Sequence, residues 1–165
     1  MDAITLLKQD HKTVEGLFKK FEKAGDNAYK TKREIADKIV EELSVHAFIE
    51  EQVFYPAVRE AVPDEEDMVL ESLEEHHVVK WVLSEIDGMS PEAERFDAKV
   101  TVLIENVRHH VEEEETELFP EVRKALGRKK LAEIGDAMEK AKRTAPKRPQ
   151  PRAPDTPSAK SLAQR

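Results

Sequence analysis

The sequence predicts an all-α protein: an up-down-up-down four-helix bundle with a short fifth C-terminal helix and a disordered basic tail. Three observations carry this reading. Apolar residues recur at three- and four-residue spacing through long stretches, which is the period of a helix buried on one side. Glycine occurs only 5 times in 165 residues and alternating β-branched runs are few, leaving no room for a sheet. Helix stops and starts fall between the stretches, and the short links make consecutive helices antiparallel neighbours.

The first helix is expected to start after Asp2, whose carboxylate suits an N-cap, and to end at Gly25. Residues 26–30 make the turn. A second helix over about 31–62 should kink near Pro56, which has no N–H for the carbonyl four residues back. Pro63-Asp64 breaks it, and a third helix follows to about Asp87. In Gly88-Met89-Ser90-Pro91, glycine ends one helix, serine caps the next and proline takes its first turn. The fourth helix then spans about Pro91 to Leu126, with Pro120 echoing Pro56, and Gly127 ends it. Leu131, Ile134 and Met138 form one face of the fifth helix, packed across the bundle end. From residue 144 onward the chain is rich in Pro, Ala, Lys and Arg and has too little apolar area to order. The chain thus divides into a bundle, 1–143, and a tail, 144–165.

Within the bundle one motif is written twice. HAFIEEQVFYP (46–56) and HVEEEETELFP (110–120) each place a histidine four residues before a glutamate and ten before a proline. Residues four apart share a helix face, so each copy aims an imidazole and a carboxylate the same way. A shift of 64 residues also superimposes Ile39 on Leu103, Val40 on Ile104, Leu43 on Val107 and Tyr55 on Phe119. His46, Glu50, His110 and Glu114 sit within that apolar stripe, so they face the core. Buried His–Glu pairs demand hydrogen bonds, ion pairs or a metal.

A second repeat precedes each motif. Apolar residues follow His11 at Val14, Leu17, Phe18 and Phe21, and follow His76 at the same offsets: Val79, Val82, Leu83 and Ile86. The same offsets from His77 meet Lys80, Leu83, Ser84 and Asp87, three polar residues of four, so His76 is the inward histidine. His110 rather than His109 matches His46. His77 and His109 belong at the edge or in solvent, and Trp81, Tyr55 and the phenylalanines in the core. Glu51 and Glu115, aligned after the motif glutamates, are candidate acceptors behind the inward imidazoles.

The order His11, His46-x-x-x-Glu50, His76, His110-x-x-x-Glu114 resembles the hemerythrin-like, or HHE cation-binding, family over about residues 3–126. The resemblance implies a non-haem di-iron site in a four-helix bundle. His11, His46, His76 and His110 would be terminal nitrogen ligands, and Glu50 and Glu114 carboxylates able to bridge. Oxygen-carrying hemerythrins have a fifth histidine and end their last motif in His-x-x-x-x-Asp. Here the last motif is His-x-x-x-Glu, which tells against reversible oxygen carriage. Zinc prefers about four ligands, whereas six donors with two potential bridges suit two metals of about six-coordinate type. The positions left over point to a small oxidant or gas: peroxide (with catalase-like turnover), oxygen or nitric oxide. A sensing or binding module for oxygen, nitric oxide or iron is the alternative. A ferritin-like centre needs Glu-x-x-His on two helices, and only Glu74 to His77 has it.

Composition excludes other classes. With no cysteine, iron–sulfur clusters, thiolate zinc and disulfides are ruled out. No stretch approaches the ~20 apolar residues of a membrane span, and MDAITLLKQDHK is not a signal peptide, so the expected location is the cytoplasm. Residues 140–165 carry eight Lys/Arg and one Asp, which leaves 19 basic and 34 acidic residues in 1–139. An acidic body argues against nucleic acid as its main partner.

Overall fold

The computed structural model describes residues 1–157, all helix and connecting turns with no strand among the described residues. Helix α1 (Ala3–Lys23) starts where expected, its Asp2 cap accepting from the Thr5 N–H at 2.9 Å. Helix α2 (Tyr29–Ile49) returns antiparallel. It continues through a wide turn at Glu50–Phe54 into α3 (Tyr55–Ala61). Helices α4 (Glu66–Asp87) and α5 (Phe96–Glu113) form the second pair, and α5 passes through an equivalent wide turn at Glu114–Leu118 into α6 (Phe119–Lys142). No helix among the described residues is long and apolar enough to cross a membrane.

Where the sequence predicts kinks at Pro56 and Pro120, the chain forms single π turns instead. Tyr55 N–H bonds to Glu50 C=O and Phe119 N–H to Glu114 C=O, each five residues back. The proline that follows has no N–H to keep the α-helical ladder in step, and one extra residue in the turn absorbs the mismatch. That extra residue rotates the chain, so Ile49, Glu50, Glu51, Val53, Phe54 and Tyr55 are all buried. A regular helix has no single face that takes so many neighbours inward.

The fourth helix begins later than the sequence implies. Residues 91–95 form two successive turns, closed by Ala93 N–H to Ser90 C=O and Phe96 N–H to Ala93 C=O, each at 3.0 Å. This detour delivers Phe96 to the core beside Phe21, and Arg33 caps the end of α4 by donating to the carbonyls of Ile86 and Met89. Trp81 is also corrected. It is 47% exposed on the outer face of α4, because its register follows the polar side on which His77 lies.

Two apolar clusters fill the bundle. One gathers Val14, Phe18, Ile39, Leu83, Phe96 and Leu103; the other gathers Leu7, Phe54, Val69, Leu118 and Leu131. Each fully buried aliphatic or aromatic side chain stabilises by roughly 1.5–3 kcal/mol. Between the clusters, all four long helices contribute polar side chains to one buried layer.

The fifth helix is the second limb of α6. Gly127, at φ 72° and ψ 174°, breaks α6 in a conformation that suits glycine, and residues 128–142 run back against α1 with Leu131, Ile134 and Met138 buried. Beyond it, residues 144–157 form turns and bends along α2 and α4, where Lys147 approaches Glu41 at 3.4 Å and Arg148 donates to Asp87 at 2.9 Å. The rest of the predicted tail, 158–165, lies outside the described residues.

Candidate metal centre

The polar layer holds all six residues singled out by the repeats. His11 on α1, His46 on α2, His76 on α4 and His110 on α5 are each 4–7% exposed, while Glu50 and Glu114, which open the two π turns, are 0% and 2% exposed. His77 and His109 point to solvent, as their polar register predicts, and His109 pairs with Glu113 at 2.9 Å. Glu74, partner in the ferritin-like string, is exposed too.

The six form two trios that cross between the halves of the chain. His11, His46 and Glu114 offer donor atoms all within 4.8 Å of one another, and so do His76, His110 and Glu50. Each trio takes two imidazoles from one half and a carboxylate from the other. Glu50 Oε1 lies 2.8 Å from His46 Nε2 and 3.3 Å from His76 Nε2. Glu114 Oε1 lies 3.0 Å from His110 Nε2 and 3.5 Å from His11 Nε2. Each carboxylate thus stands between the trios, where a bridging ligand would be.

Behind the imidazoles lies a ring of acids. Every Nδ1 faces a carboxylate: His11 meets Glu115 at 3.0 Å, His46 meets Asp10 at 3.2 Å, His76 meets Glu51 at 2.9 Å and His110 meets Glu75 at 3.2 Å. An acceptor at Nδ1 fixes the ring and leaves the Nε2 lone pair free to face the centre. Glu51 and Glu115 were legible from their alignment. Asp10 and Glu75 were missed, although a signal exists: each immediately precedes the first histidine of its repeat.

Charge in the layer is strongly coupled. Burial alone would lower the His46 pKa, but Glu50 and Asp10 push it up to about 10. His76 is raised against the same burial by Glu50 and Glu51, and His110 is raised well above the ordinary value by Glu114 and Glu75. Burial would raise Glu114, yet the facing His110 and hydrogen bonds hold it well below the usual carboxylate range. Protons on His46, His76 and His110 therefore offset the buried carboxylate charge of the layer. The compensation is incomplete. His11 Nε2, His46 Nε2, both Glu50 oxygens and Glu114 Oε1 are buried without a hydrogen-bond partner, close to one another but not aligned for one. Orphaned donors of mixed imidazole and carboxylate type, converging in this way, fit metal cations.

Tyr55 takes the core position that its alignment with Phe119 implies and adds a polar role to it. Its ring does pack, 1% exposed, against Phe54 and His76. Its hydroxyl, however, enters the layer, donating to Glu114 Oε2 at 3.1 Å and lying 3.3 Å from the Nε2 atoms of both His76 and His110. Burial and the charges of Glu114 and Glu50 push its pKa well above the ordinary value, so the phenol stays a donor. On the other half Phe119 stacks on His11 at 5.9 Å and brings no polar atom. The two trios are chemically unequal.

Beside the imidazoles lies a cavity of about 30 Å³, lined by Val14, Leu43, Ala47, Val79, Val107 and Val111 together with the four histidines. An open groove of about 440 Å³ between α1 and α5 shares His11, Val14, Val107 and Val111 with it and carries Lys8, Lys12, Arg108 and Glu115 on its walls.

The sequence model for the hemerythrin HHE cation binding domain matches residues 2–122, which includes every member of both trios. The chain belongs to the hemerythrin HHE cation-binding family. Hemerythrin HHE domains are cation binders, and the buried trios supply the donors such a site needs. The chain is 26% identical over 156 residues to an uncharacterized hemerythrin-like protein of Schizosaccharomyces pombe, covering 94% of this chain and 76% of that one. It is also 31% identical over 126 residues to a DNA nickase of Nostoc sp., covering 76% of this chain but only 35% of the nickase. Among solved structures, a hemerythrin HHE cation binding domain-containing protein from Mycobacterium kansasii superimposes with a TM-score of 0.69 at 22% identity, covering 87% of this chain and 89% of that one. That likeness concerns the fold.

Proposed function

We propose that this hemerythrin-family chain binds two iron ions, one in each trio, and handles a small oxidant or gas at the pair. The observation that carries the reading is the crossing of Glu50 and Glu114 between two histidine pairs, Oε1 of each lying within 3.5 Å of an imidazole of either trio. His11, His46, His76 and His110 would be terminal ligands and Glu50 and Glu114 bridges. Bound iron would supply one-electron redox chemistry and open coordination positions. The protein's own part is to hold the four rings by their Nδ1 acceptors, to exclude bulk water with the two apolar clusters, and to keep a protonated phenol beside the His76–His110 trio.

Size limits the substrate. The space of about 30 Å³ beside the four imidazoles, walled otherwise by valines, leucine and alanine, suits a ligand of the size of a diatomic gas or peroxide. The Phe119 half offers no competing hydroxyl, and its His11 borders the α1–α5 groove, so a small molecule would meet the centre there. The test is metal analysis with an optical spectrum of purified protein, followed by peroxide, oxygen and nitric oxide added to the same sample. Two irons per chain, and a spectrum that responds to at least one of these, are expected. Zinc, or fewer than two metals at saturation, overturns the di-iron site. A full iron load that answers to none of the three overturns the oxidant and gas chemistry, as does peroxide loss no faster than with free iron for the catalase-like form.

One observation favours a sensing role without turnover. Pro146, Arg148, Pro149, Gln150, Ala153 and Pro154 of the basic segment line a small cavity with Glu51 and Lys80, directly behind His76. Ligand binding that alters protease access to this segment, without substrate consumption, would decide for sensing.

A further inference from the structure

The four acids behind the histidines are not equivalent. Asp10 and Glu51 are each held by a second cation: Lys142 Nζ lies 2.5 Å from Asp10 Oδ1 and Lys80 Nζ 2.9 Å from Glu51 Oε1. Among the described residues, Glu75 and Glu115 make no ion pair with lysine or arginine and are more open, their side chains 23% and 35% exposed. One histidine of each trio, His46 in one and His76 in the other, therefore rests on a carboxylate that is itself clamped.

Lys142 reaches its position by an indirect route. It closes the second limb of α6, twenty residues beyond the stretch that matches the family. Gly127 turns that limb back with its positive φ. Gly135 then lets it press on the start of α1: a Cβ there would lie 2.1 Å from the Met1 carbonyl oxygen and 2.9 Å from the Ala3 nitrogen. Only glycine permits that approach without displacing backbone. Leu131, Ile134 and Met138 seal the contact, and Lys142 arrives beside Asp10, whose other oxygen holds His46 Nδ1 at 3.2 Å.

We propose that Lys142 is a positioning residue for the metal centre, acting on His46 through Asp10, with Lys80 doing the same for His76 through Glu51. A carboxylate bound to one imidazole alone can swing about its side-chain torsions; pinned from behind by an ammonium, it fixes the ring plane. The lysine also draws charge from the carboxylate and so moderates how basic the imidazole becomes toward a metal. The fifth helix is then a latch on the centre as well as a cover for the bundle end. This inference rests on the metal-binding reading above.

The test compares the iron-loaded wild-type chain with Lys142→Met, Lys142→Arg and a control, Lys130→Met, whose pairing among the described residues is a surface contact with Glu133 at 4.0 Å. Two readouts are taken: the rate of iron release to an excess of chelator, and the visible absorption spectrum. Loss of a partner in the outer shell of a metal site costs roughly 10- to 100-fold in metal affinity. Lys142→Met should release iron about tenfold faster, with a shifted spectrum, while Lys142→Arg and Lys130→Met stay close to wild type. If Lys142→Met loses its helical circular dichroism, Lys142→Gln, which keeps a polar head, replaces it. Release and spectrum equal to those of Lys130→Met overturn the proposal. Wild type that takes up no iron refutes the metal reading itself, a result distinct from the first.

Discussion

Replacing His110 by alanine separates an inward histidine from its solvent-facing neighbour. The His110 ring is buried, its Nε2 3.0 Å from Glu114 Oε1 and 3.3 Å from the Tyr55 hydroxyl, its Nδ1 3.2 Å from Glu75. Truncation leaves Glu114 charged and buried opposite Glu50. Breaking a buried pair in this way costs about 3–5 kcal/mol. For a domain of this size each kcal/mol moves Tm by roughly 2–4 °C. The metal-free variant should therefore melt on the order of 10 °C lower. The iron-loaded variant should fall further, because one trio keeps only two of its three donors. His109→Ala removes a ring whose side chain is 64% exposed and whose pairing with Glu113 is worth about 0.2–1 kcal/mol. Its Tm should change by a few degrees at most and its iron content by nothing measurable. The assay is circular-dichroism melting of chelated and iron-loaded samples, with metal analysis of both. Equal losses in the two variants would refute the inward register of His110 and the geometry built on it.

Tyr55→Phe keeps the packed ring and removes the hydroxyl shared by His76, His110 and Glu114; hydrogen bonds to charged groups contribute about 1.5–3 kcal/mol, so the metal-free Tm should drop by less than in His110→Ala while the iron-loaded spectrum shifts. Wild-type values of both would remove the phenol from the centre. In the metal-free protein the His46 pKa stands at about 10, above the 6.5 of the free side chain, so its stabilising contribution is complete below 6.5 and is lost as pH rises toward 10. Melts of the chelated protein should fall across that window and melts of the iron-loaded protein should stay flatter, since a ligating imidazole has already given up its proton; a flat chelated profile contradicts the charge assignment.

Most of the bundle follows from local pattern. The apolar offsets after His11 and His76 repeat because both helices bury the same face, and that repetition placed His76 inside and His77 outside. Asp2, Pro63 and Gly127 start or end helices through backbone chemistry that acts within a few residues, so those boundaries were legible, whereas α1 stops at Lys23 with Ala24 extended rather than on Gly25. Trp81 was misplaced because a large aromatic suggests burial, while its position on α4 follows from the phase of the whole helix. The late start of α5 depends on Phe96 finding Phe21, a contact across 75 residues of chain.

What the sequence determined alone is the set of six inward donors and the helix each occupies, since the 3.6-residue period turns spacing into direction. Only the tertiary structure decided how they combine. The π turns rotate Tyr55 into the layer, Glu50 and Glu114 exchange halves, and Gly135 brings Lys142 to Asp10. Each of these depends on distances between segments far apart in the chain. Local periodicity holds no information about such distances, because packing of the complete bundle sets them.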